Sequence, residues 1–521
     1  MFLARPRGIS IALFVLLQRS RSYNPLPKET SFVDCNFLSM HFVIKLFPEI
    51  IVKSPSVRRH QTKVLHANIQ RLLKPLGKSI EVIRDWEKLE ICCEENSQEL
   101  RDTLVERLRC TPGISKFSET TTFEYQSLEQ ICDLVVDKYA DRLAGKSFGV
   151  RVKRNGQQKF SSMEVERAVG SAIMMRTDAN KIDLQQPEVW VEIEVRENRV
   201  FLLGETWLGL GGFPIGTQGK VMSLISGGFD SSVSSYQSMR RGMLTHFLFF
   251  NIGGRAHEIA TRKMAHHLWQ RFGSSHESRF VSVPFERVVS EIAEKVPPSY
   301  ATVVLKRCMM RCASEIAEKY KIDAISTGES VGQVSSQTLA NLNIIDQAAS
   351  CLVMRPLINM DKGDIIDISR RIGTAKMAED SPEYCGVNSV RPTTRANPEK
   401  LAEIEARLDP DLIDQVVARA KQTPVFRLIA DIGTLPVDIF PTPTPGAVIV
   451  DVRHPDERLD NELTFKANKV IAIPFFEIQK VFAEQSQAEN YLLYCERGIM
   501  SRLHAELLLE AGYENVGVYK P

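Results

Sequence analysis

Residues 221–242 read VMSLISGGFDSSVSSYQSMRRG. Val221 to Ile225 is a short, mostly apolar run, as a strand buried on both faces would be. Ser226-Gly227-Gly228-Phe229-Asp230-Ser231-Ser232 follows, and a helical pattern begins at once. Two glycines let a backbone approach an anion closely. Free N–H groups and the positive end of a helix favour phosphate at such a turn, and the serine hydroxyls add donors. Asp230 would repel a phosphate met directly, so its expected role is to hold Mg²⁺ against one. No G-x-x-x-x-G-K-[ST] occurs here, so this is not a Walker A loop.

Downstream, strand and helix patterns alternate, which predicts a doubly wound α/β domain over residues 210–395. LTHFLFFNIGG is a strand, and AHEIATRKMAHHLWQRFG a helix. Its HEIAT fragment lacks the second histidine of H-E-x-x-H, which rejects a zinc protease. Cys308 and Cys312 lie four apart on the next helix, where core packing is the better reading than metal. AISTGES is a strand leading into VGQVSSQTLANLNIID. Ligands of an open parallel sheet sit beyond the carboxyl ends of its strands, which places Gly328, Glu329 and Gln337 beside the glycine loop. The last helix of the domain is followed by EDSPEYCGVNSVRP, a Pro- and Gly-punctuated loop carrying Cys385.

Upstream, residues 40–115 alternate strand and helix. The helix SVRRHQTKVLHANIQRLLKPL places Val57, Val64, Leu65, Ile69 and Leu72 on one side. This is a small α+β unit of ferredoxin-like type, with Cys92 and Cys93 in a strand. A second α+β unit covers 116–209. Arg151, Lys153, Arg154 and Lys159 cluster there with Phe160, a pattern that can track phosphates and stack a base. The arrangement resembles a THUMP domain, an RNA-binding module. Residues 1–39 begin with Arg5 and Arg7 before an apolar run from Ile9 to Leu17. No small-x-small cleavage site follows, and so short a run cannot span a bilayer. They are read as a disordered N-terminal extension.

Residues 396–442 are read as a helical and Pro-rich linker ending in TLPVDIFPTPTPG. AVIVDVRHPDE and KVIAIPFFEI are then buried strands, and NYLLYCERGIMSRLHAELLLEAGYENVGVYKP a strand, a loop and a helix. Backbone N–H groups of residues 496–501 can curl around the Cys495 sulfur, and Arg497 with the helix N-terminus favours its anionic form. A phosphatase loop would need arginine at position 501, where Ser501 stands. Asp451–Arg453 and the strand–Cys495–loop–helix over 443–521 resemble a rhodanese domain.

The chain has 521 residues, 43% hydrophobic and 25% charged, enough for three or four globular domains. A net charge of +2 confines any nucleic-acid surface to local patches. Ten scattered cysteines with no C-x-x-C pair argue for a reducing compartment and against a disulfide scaffold or zinc ribbon.

The loop at 226–232 resembles the PP-loop of ATP pyrophosphatases, which cleave ATP to AMP and pyrophosphate while adenylating a substrate. SLISGGFDSSVSSY, TGESVGQVSSQTLANL, RPLINMDKGDIIDISRRIGT and PEYCGV together resemble the tRNA 4-thiouridine synthetase family, over roughly residues 40–521. The resemblance implies ATP contacts at Leu224, Ile225, Ser226, Gly227, Gly228, Asp230, Ser231, Lys306, Gly328 and Gln337, with Asp230 essential and Lys362 a further catalytic-site lysine. It implies a tRNA substrate thiolated at the uridine of position eight, and a cysteine desulfurase loading Cys495 as a persulfide. Cys385 is then expected to form a disulfide with Cys495 that an external reductant resets. A thiazole-pathway sulfur-carrier protein is a further implied partner. ATP chemistry places the expected enzyme in the cytoplasm, with no membrane partner. The alternative is a PP-loop ligase or amidating enzyme with a regulatory rhodanese domain.

Overall fold

A computed structural model describes residues 40–77, 79–84, 88–95, 97–155, 159–381, 391–430, 437–453, 455–475, 477–496 and 498–521. The extension at 1–39, Cys385 and Arg497 lie outside the described residues. Mixed α/β and α+β architecture is observed, organised by three sheets.

Strands β1 (Met40–Leu46), β2 (Ile80–Arg84), β3 (Lys88–Cys93), β4 (Ile114–Glu124), β5 (Ser147–Asn155), β6 (Lys181–Ile182), β7 (Val189–Arg196) and β8 (Arg199–Leu208) form one sheet. Its order is β2-β3-β1-β4-β8-β7-β5-β6. The boundary expected at 115/116 falls inside β4, which pairs with β1 on one side and β8 on the other. The two units thus share a sheet but keep separate cores, one around Phe42, Leu65 and Phe117, the other around Tyr139, Phe148 and Val191. Helix Pro55–Leu73 keeps most of its expected face, Leu72 packing on the same core as Leu65 and Ile69. Leu65, Ile69 and Leu73 are buried with Gln61, Thr62 and Asn68, whereas Val57 is 42% exposed. Asn68 donates to the Ile215 carbonyl at 3.0 Å, so this helix also packs on the segment entering the next domain.

Strands β9 (Lys220–Leu224), β10 (Leu244–Asn251), β11 (Arg279–Pro284), β12 (Ala324–Ser326), β13 (Leu352–Met354) and β14 (Lys421–Pro424) form the second sheet, in the order β13-β12-β9-β10-β11-β14. All pairs are parallel except β11 with β14. The chain runs from β9 outward through β10 to β11, then returns to β12 on the other side of β9. That reversal opens a crevice at the carboxyl ends of β9 and β12. The linker expected at 396–442 is corrected here. Helices Pro398–Glu405 and Leu412–Ala418 bury Leu401, Ile404, Leu412 and Val416, and β14 completes the sheet. Their apolar spacing reads as a solvated helix until helix Ala301–Lys319 supplies a surface to cover, while β14 pairs the open edge of β11.

Strands β15 (Ile439–Phe440), β16 (Val448–Asp451), β17 (Val470–Ala472), β18 (Tyr491–Tyr494) and β19 (Val516–Tyr519) form a parallel sheet in the order β15-β19-β18-β16-β17. VIVD and YLLY are buried at every position, as strands covered on both faces require. Ile439–Phe440, within the Pro-rich run, is an edge strand of this sheet. No helix of the described residues is long and apolar enough to cross a membrane.

Helix Ile499–Glu510 of the third layer packs on helix Gly254–Leu268 of the second. Glu506, 5% exposed, accepts the Arg255 backbone N–H at 2.5 Å, and so sits at the positive end of that helix. Gly254 has φ +73°, and a Cβ there would lie 2.4 Å from a Glu506 carboxylate oxygen. Glu506→Ala removes a hydrogen bond to a charged acceptor, worth about 1.5–3 kcal/mol. The Arg255 amide should then exchange with solvent at least ~10-fold faster, as local opening becomes easier. Unchanged exchange of that amide would show that Glu506 does not moor the two domains.

Candidate functional site

Where β9 ends, the backbone turns through Gly227 at φ +83° and helix Phe229–Arg240 starts on Gly228, with no side-chain cap. Serine hydroxyls brace this turn. Ser226 N–H donates to Ser231 Oγ at 3.2 Å, Ser231 Oγ–H donates to the Gly228 carbonyl, and Ser232 bonds Thr374 at 3.1 Å. Ser226 is exposed. Ile225 turns inward at 2% exposure, so any ligand meets its backbone only. Leu224 is half-buried.

The strand beside β9 supplies the opposite wall. A Cβ on Gly328 would lie 2.6 Å from the Asp230 carbonyl carbon and 2.8 Å from the Ser231 nitrogen. Only glycine lets the loop after β12 press on that helix's first turn. Asp230 is paired with Lys362, whose Nζ lies 2.8 Å from both carboxylate oxygens. Lys362 opens helix Lys362–Ile372, and Gln333 Nε2 reaches Asp230 at 3.5 Å. Among the described residues no three His, Cys, Asp or Glu gather to hold a metal. A cation at Asp230 would need phosphate oxygens to complete its shell.

Lys306 and Arg355 converge on Glu329 at 2.7 and 2.9 Å, and Thr327 donates to it at 3.1 Å. Burial alone would raise the Glu329 pKa. The two cations overturn that and hold it below the usual carboxylate range. Gln337 closes the short turn Ser335–Gln337, and its Oε1 is buried without a hydrogen-bond partner among the described residues. The structure thus joins Asp230, Ser231, Gly328, Lys306 and Lys362 into one cluster, and Gln337 brings an unsatisfied acceptor. Glu329, the centre of the ion network, has a sequence signal only in its place after β12.

At the other end of the chain, Cys495 follows β18 and is 7% exposed. Ser501 meets the sulfur twice at 3.3 Å, with its backbone N–H and with its hydroxyl. The residue that distinguishes this loop from a phosphatase is therefore its sulfur contact. Gly498, at φ +72°, donates to the Cys495 carbonyl and turns the chain into helix Ile499–Glu510. The Asp451–Arg453 signature is a buried fork with bonds of 2.9 and 2.7 Å, its guanidinium 5.3 Å from the Tyr494 ring centroid. It braces the strand end that presents the cysteine. Cys308 and Cys312 are core residues, and burial pushes the Cys308 thiol up to about 11.

On the eight-stranded sheet, Arg151, Lys153, Arg154 and Lys159 are all exposed. The Phe160 carbonyl accepts from the Arg154 guanidinium at 2.6 Å, while its ring packs against Tyr125, with centroids 5.8 Å apart. The aromatic under the Arg151 guanidinium is Trp190, 3.5 Å away at its centroid. Gly149 leaves room for this ring, since a Cβ there would lie 2.6 Å from it. Lys116, Arg142, Glu192 and Glu205 complete a cavity of about 430 Å³. Lys116, Arg142 and Trp190 escape a sequence reading because β4, β7 and the helix Leu128–Leu143 meet only in the fold.

The Glu329 network fixes a pH dependence. Its carboxylate is depressed in the fold, so its stabilisation is present above the unfolded value of about 4.3 and lost as pH falls through the lower folded value. Glu329→Gln should flatten the acid-unfolding limb below about pH 4.3 and destabilise the protein at pH 7, because Lys306 and Arg355 lose their shared carboxylate. Thermal unfolding from pH 7 to 3 tests this; an unaltered acid limb would remove Glu329 from the account.

Comparison with known proteins fits this arrangement. A profile described as "Thiamine biosynthesis protein (ThiI)" matches residues 216–409, a THUMP profile 125–203, a ThiI ferredoxin-like profile 41–118 and a rhodanese-like profile 442–520. A tRNA sulfurtransferase of Shewanella oneidensis is 46% identical, over 92% of this chain and all of its own. One from Saccharophagus degradans is 44% identical over the same shares. A crystal structure of a 4-thiouridine synthetase–RNA complex with bound ATP aligns with a TM-score of 0.65 at 26% identity, over 74% of this chain and 99% of that one. With full-length relatives at this identity, this chain belongs to the tRNA sulfurtransferase family.

Proposed function

We propose that the chain is an ATP-dependent tRNA sulfurtransferase of the cytoplasm that replaces O4 of the uridine at position eight with sulfur, giving 4-thiouridine, AMP and pyrophosphate. The reading is carried by the meeting of a glycine-cradled anion loop and a buried, loop-held cysteine on one chain. When bound, Mg-ATP supplies the AMP group that makes O4 a leaving group. The turn at Ser226, Gly227 and Gly228 with the start of helix Phe229–Arg240 holds phosphate oxygens, while Lys306, Gly328 and Gln337 line the nucleotide. Asp230 would hold Mg²⁺ against the phosphates, and Lys362, which neutralises Asp230 here, is within reach to pair with a phosphate oxygen.

Sulfur follows a separate path. A cysteine desulfurase loads Cys495 as a persulfide, whose charge Ser501 meets with its N–H and hydroxyl. The outer sulfur forms a bond to C4 as AMP departs with the old oxygen. Cys385 attacks the inner sulfur of Cys495, leaving the outer one on the base and creating a Cys385–Cys495 disulfide that an external reductant resets. The same persulfide serves a thiazole-pathway sulfur-carrier protein. In the assay, AMP should appear only with tRNA present; AMP without tRNA would favour an amidating ligase. Cys495→Ser should keep tRNA-dependent AMP formation with sulfide as donor but lose thiolation from desulfurase and cysteine. Cys385→Ser should stop after about one turnover, and full multiple turnover would end its resolving role.

For tRNA, the supporting surface is the sheet face around Trp190. The ring and the Arg151 guanidinium make a platform on which a base can continue the stack, with Lys116, Arg142 and Lys153 near the backbone. Trp190→Ala should weaken tRNA binding about 10-fold with little change in salt dependence. Lys153→Ala should lower the salt slope by about one phosphate contact. Titrations at several salt concentrations separate the two, and parent-like binding by both variants would move the RNA elsewhere.

A further inference from the structure

The HEIAT fragment that fails as a zinc motif has a use in the fold. His257 and Thr261 are four apart on helix Gly254–Leu268, so they share one face, and that face meets the glycine loop. His257 donates its Nε2–H to the Ser226 carbonyl at 2.9 Å; the acceptor fixes the tautomer. Burial pushes this imidazole down to about 4, so it acts as a neutral brace. One turn on, Thr261 is fully buried, and its Oγ1 has no hydrogen-bond partner among the described residues. Ser381 reaches the same place from just beyond the short helix Ala375–Glu379. It is 9% exposed, and its Oγ likewise has no hydrogen-bond partner among the described residues. Both hydroxyls crowd Gly227: a Cβ there would lie 3.0 Å from Ser381 Oγ and 3.2 Å from Thr261 Oγ1.

Two buried, unsatisfied hydroxyls at one glycine need an explanation. A lost hydrogen bond at a buried polar group is costly, and native structures carry few of them. A valine at 261 or an alanine at 381 would fill nearly the same space with no polar atom to satisfy. The loop they flank is an anion cradle, and anionic oxygens are the acceptors such donors lack.

We propose that Thr261 and Ser381 are phosphate-positioning residues of the glycine loop, donating to oxygens of the β,γ-diphosphate portion of a nucleoside triphosphate. This rests on the ATP reading of the loop. In the unliganded protein the two hydroxyls are held ready at a cost in stability that ligand binding recovers. They orient the diphosphate as a leaving group and take no part in covalent chemistry.

Thr261→Val, Ser381→Ala and the double variant test the assignment on the full-length protein, by calorimetric titration with Mg-ATP, inorganic pyrophosphate and AMP, and by thermal unfolding without ligand. Each single variant should weaken ATP and pyrophosphate about 10-fold, the loss of one hydrogen bond to a charged oxygen. AMP, which lacks the diphosphate, should bind as to the parent. The unliganded variants should unfold at the parent temperature or above it, a result that a merely structural hydroxyl would not give. Parent-like affinity for ATP and pyrophosphate would overturn the assignment. So would an equal loss for AMP, or a lower unfolding temperature without ligand. If the parent itself fails to bind ATP, the ATP reading falls instead.

Discussion

The nucleotide cluster depends on one close approach. The loop after β12 lies against the first turn of helix Phe229–Arg240 with only hydrogen at Gly328 between them. That contact sets the width of the crevice between β9 and β12, and brings Glu329 with its two cations next to Asp230 and Lys362. Backbone packed on backbone leaves nothing to yield. The polar groups fastened to either wall are therefore held in register without a ligand.

Around that contact the charges are arranged by exposure. Glu329 is buried, so it needs both Lys306 and Arg355 to stay ionised. Asp230 and Lys362 remain open to solvent, where an ion pair is worth little and can be exchanged for a metal or phosphate. A rigid inner pair of cations and a replaceable outer one suit the nucleotide site proposed above. The unsatisfied hydroxyls of Thr261 and Ser381 belong to the same design, in which the empty site is less comfortable than the filled one.

The third sheet brings a different economy of charge. Its cysteine is presented by a strand end braced by the Asp451–Arg453 fork and met by Ser501, both local features. Its placement on the nucleotide domain is not local. It relies on Glu506 at the start of helix Gly254–Leu268, the helix that also carries His257 and Thr261. One helix thus touches the glycine loop through its side and the rhodanese-like domain through its end.

Much of this was legible in the sequence, because the signals were local. The glycine loop, the alternation of strands and helices, and the cysteine between a strand and a helix each follow from residues adjacent in the chain. So did the nearness of Gly328 to the loop, through the rule for open parallel sheets. What the sequence left undecided depends on surfaces contributed from far away. Residues 398–424 read as linker because nothing in them names helix Ala301–Lys319 or the open edge of β11. Phe160 looked like the partner of the basic cluster, and the fold turned its ring toward Tyr125 and put Trp190 under Arg151. Side-chain types and local spacing determine which chemistry is available; which groups end up buried, paired or left without a partner is decided only when distant strands and helices pack, since burial and desolvation are properties of the assembled fold.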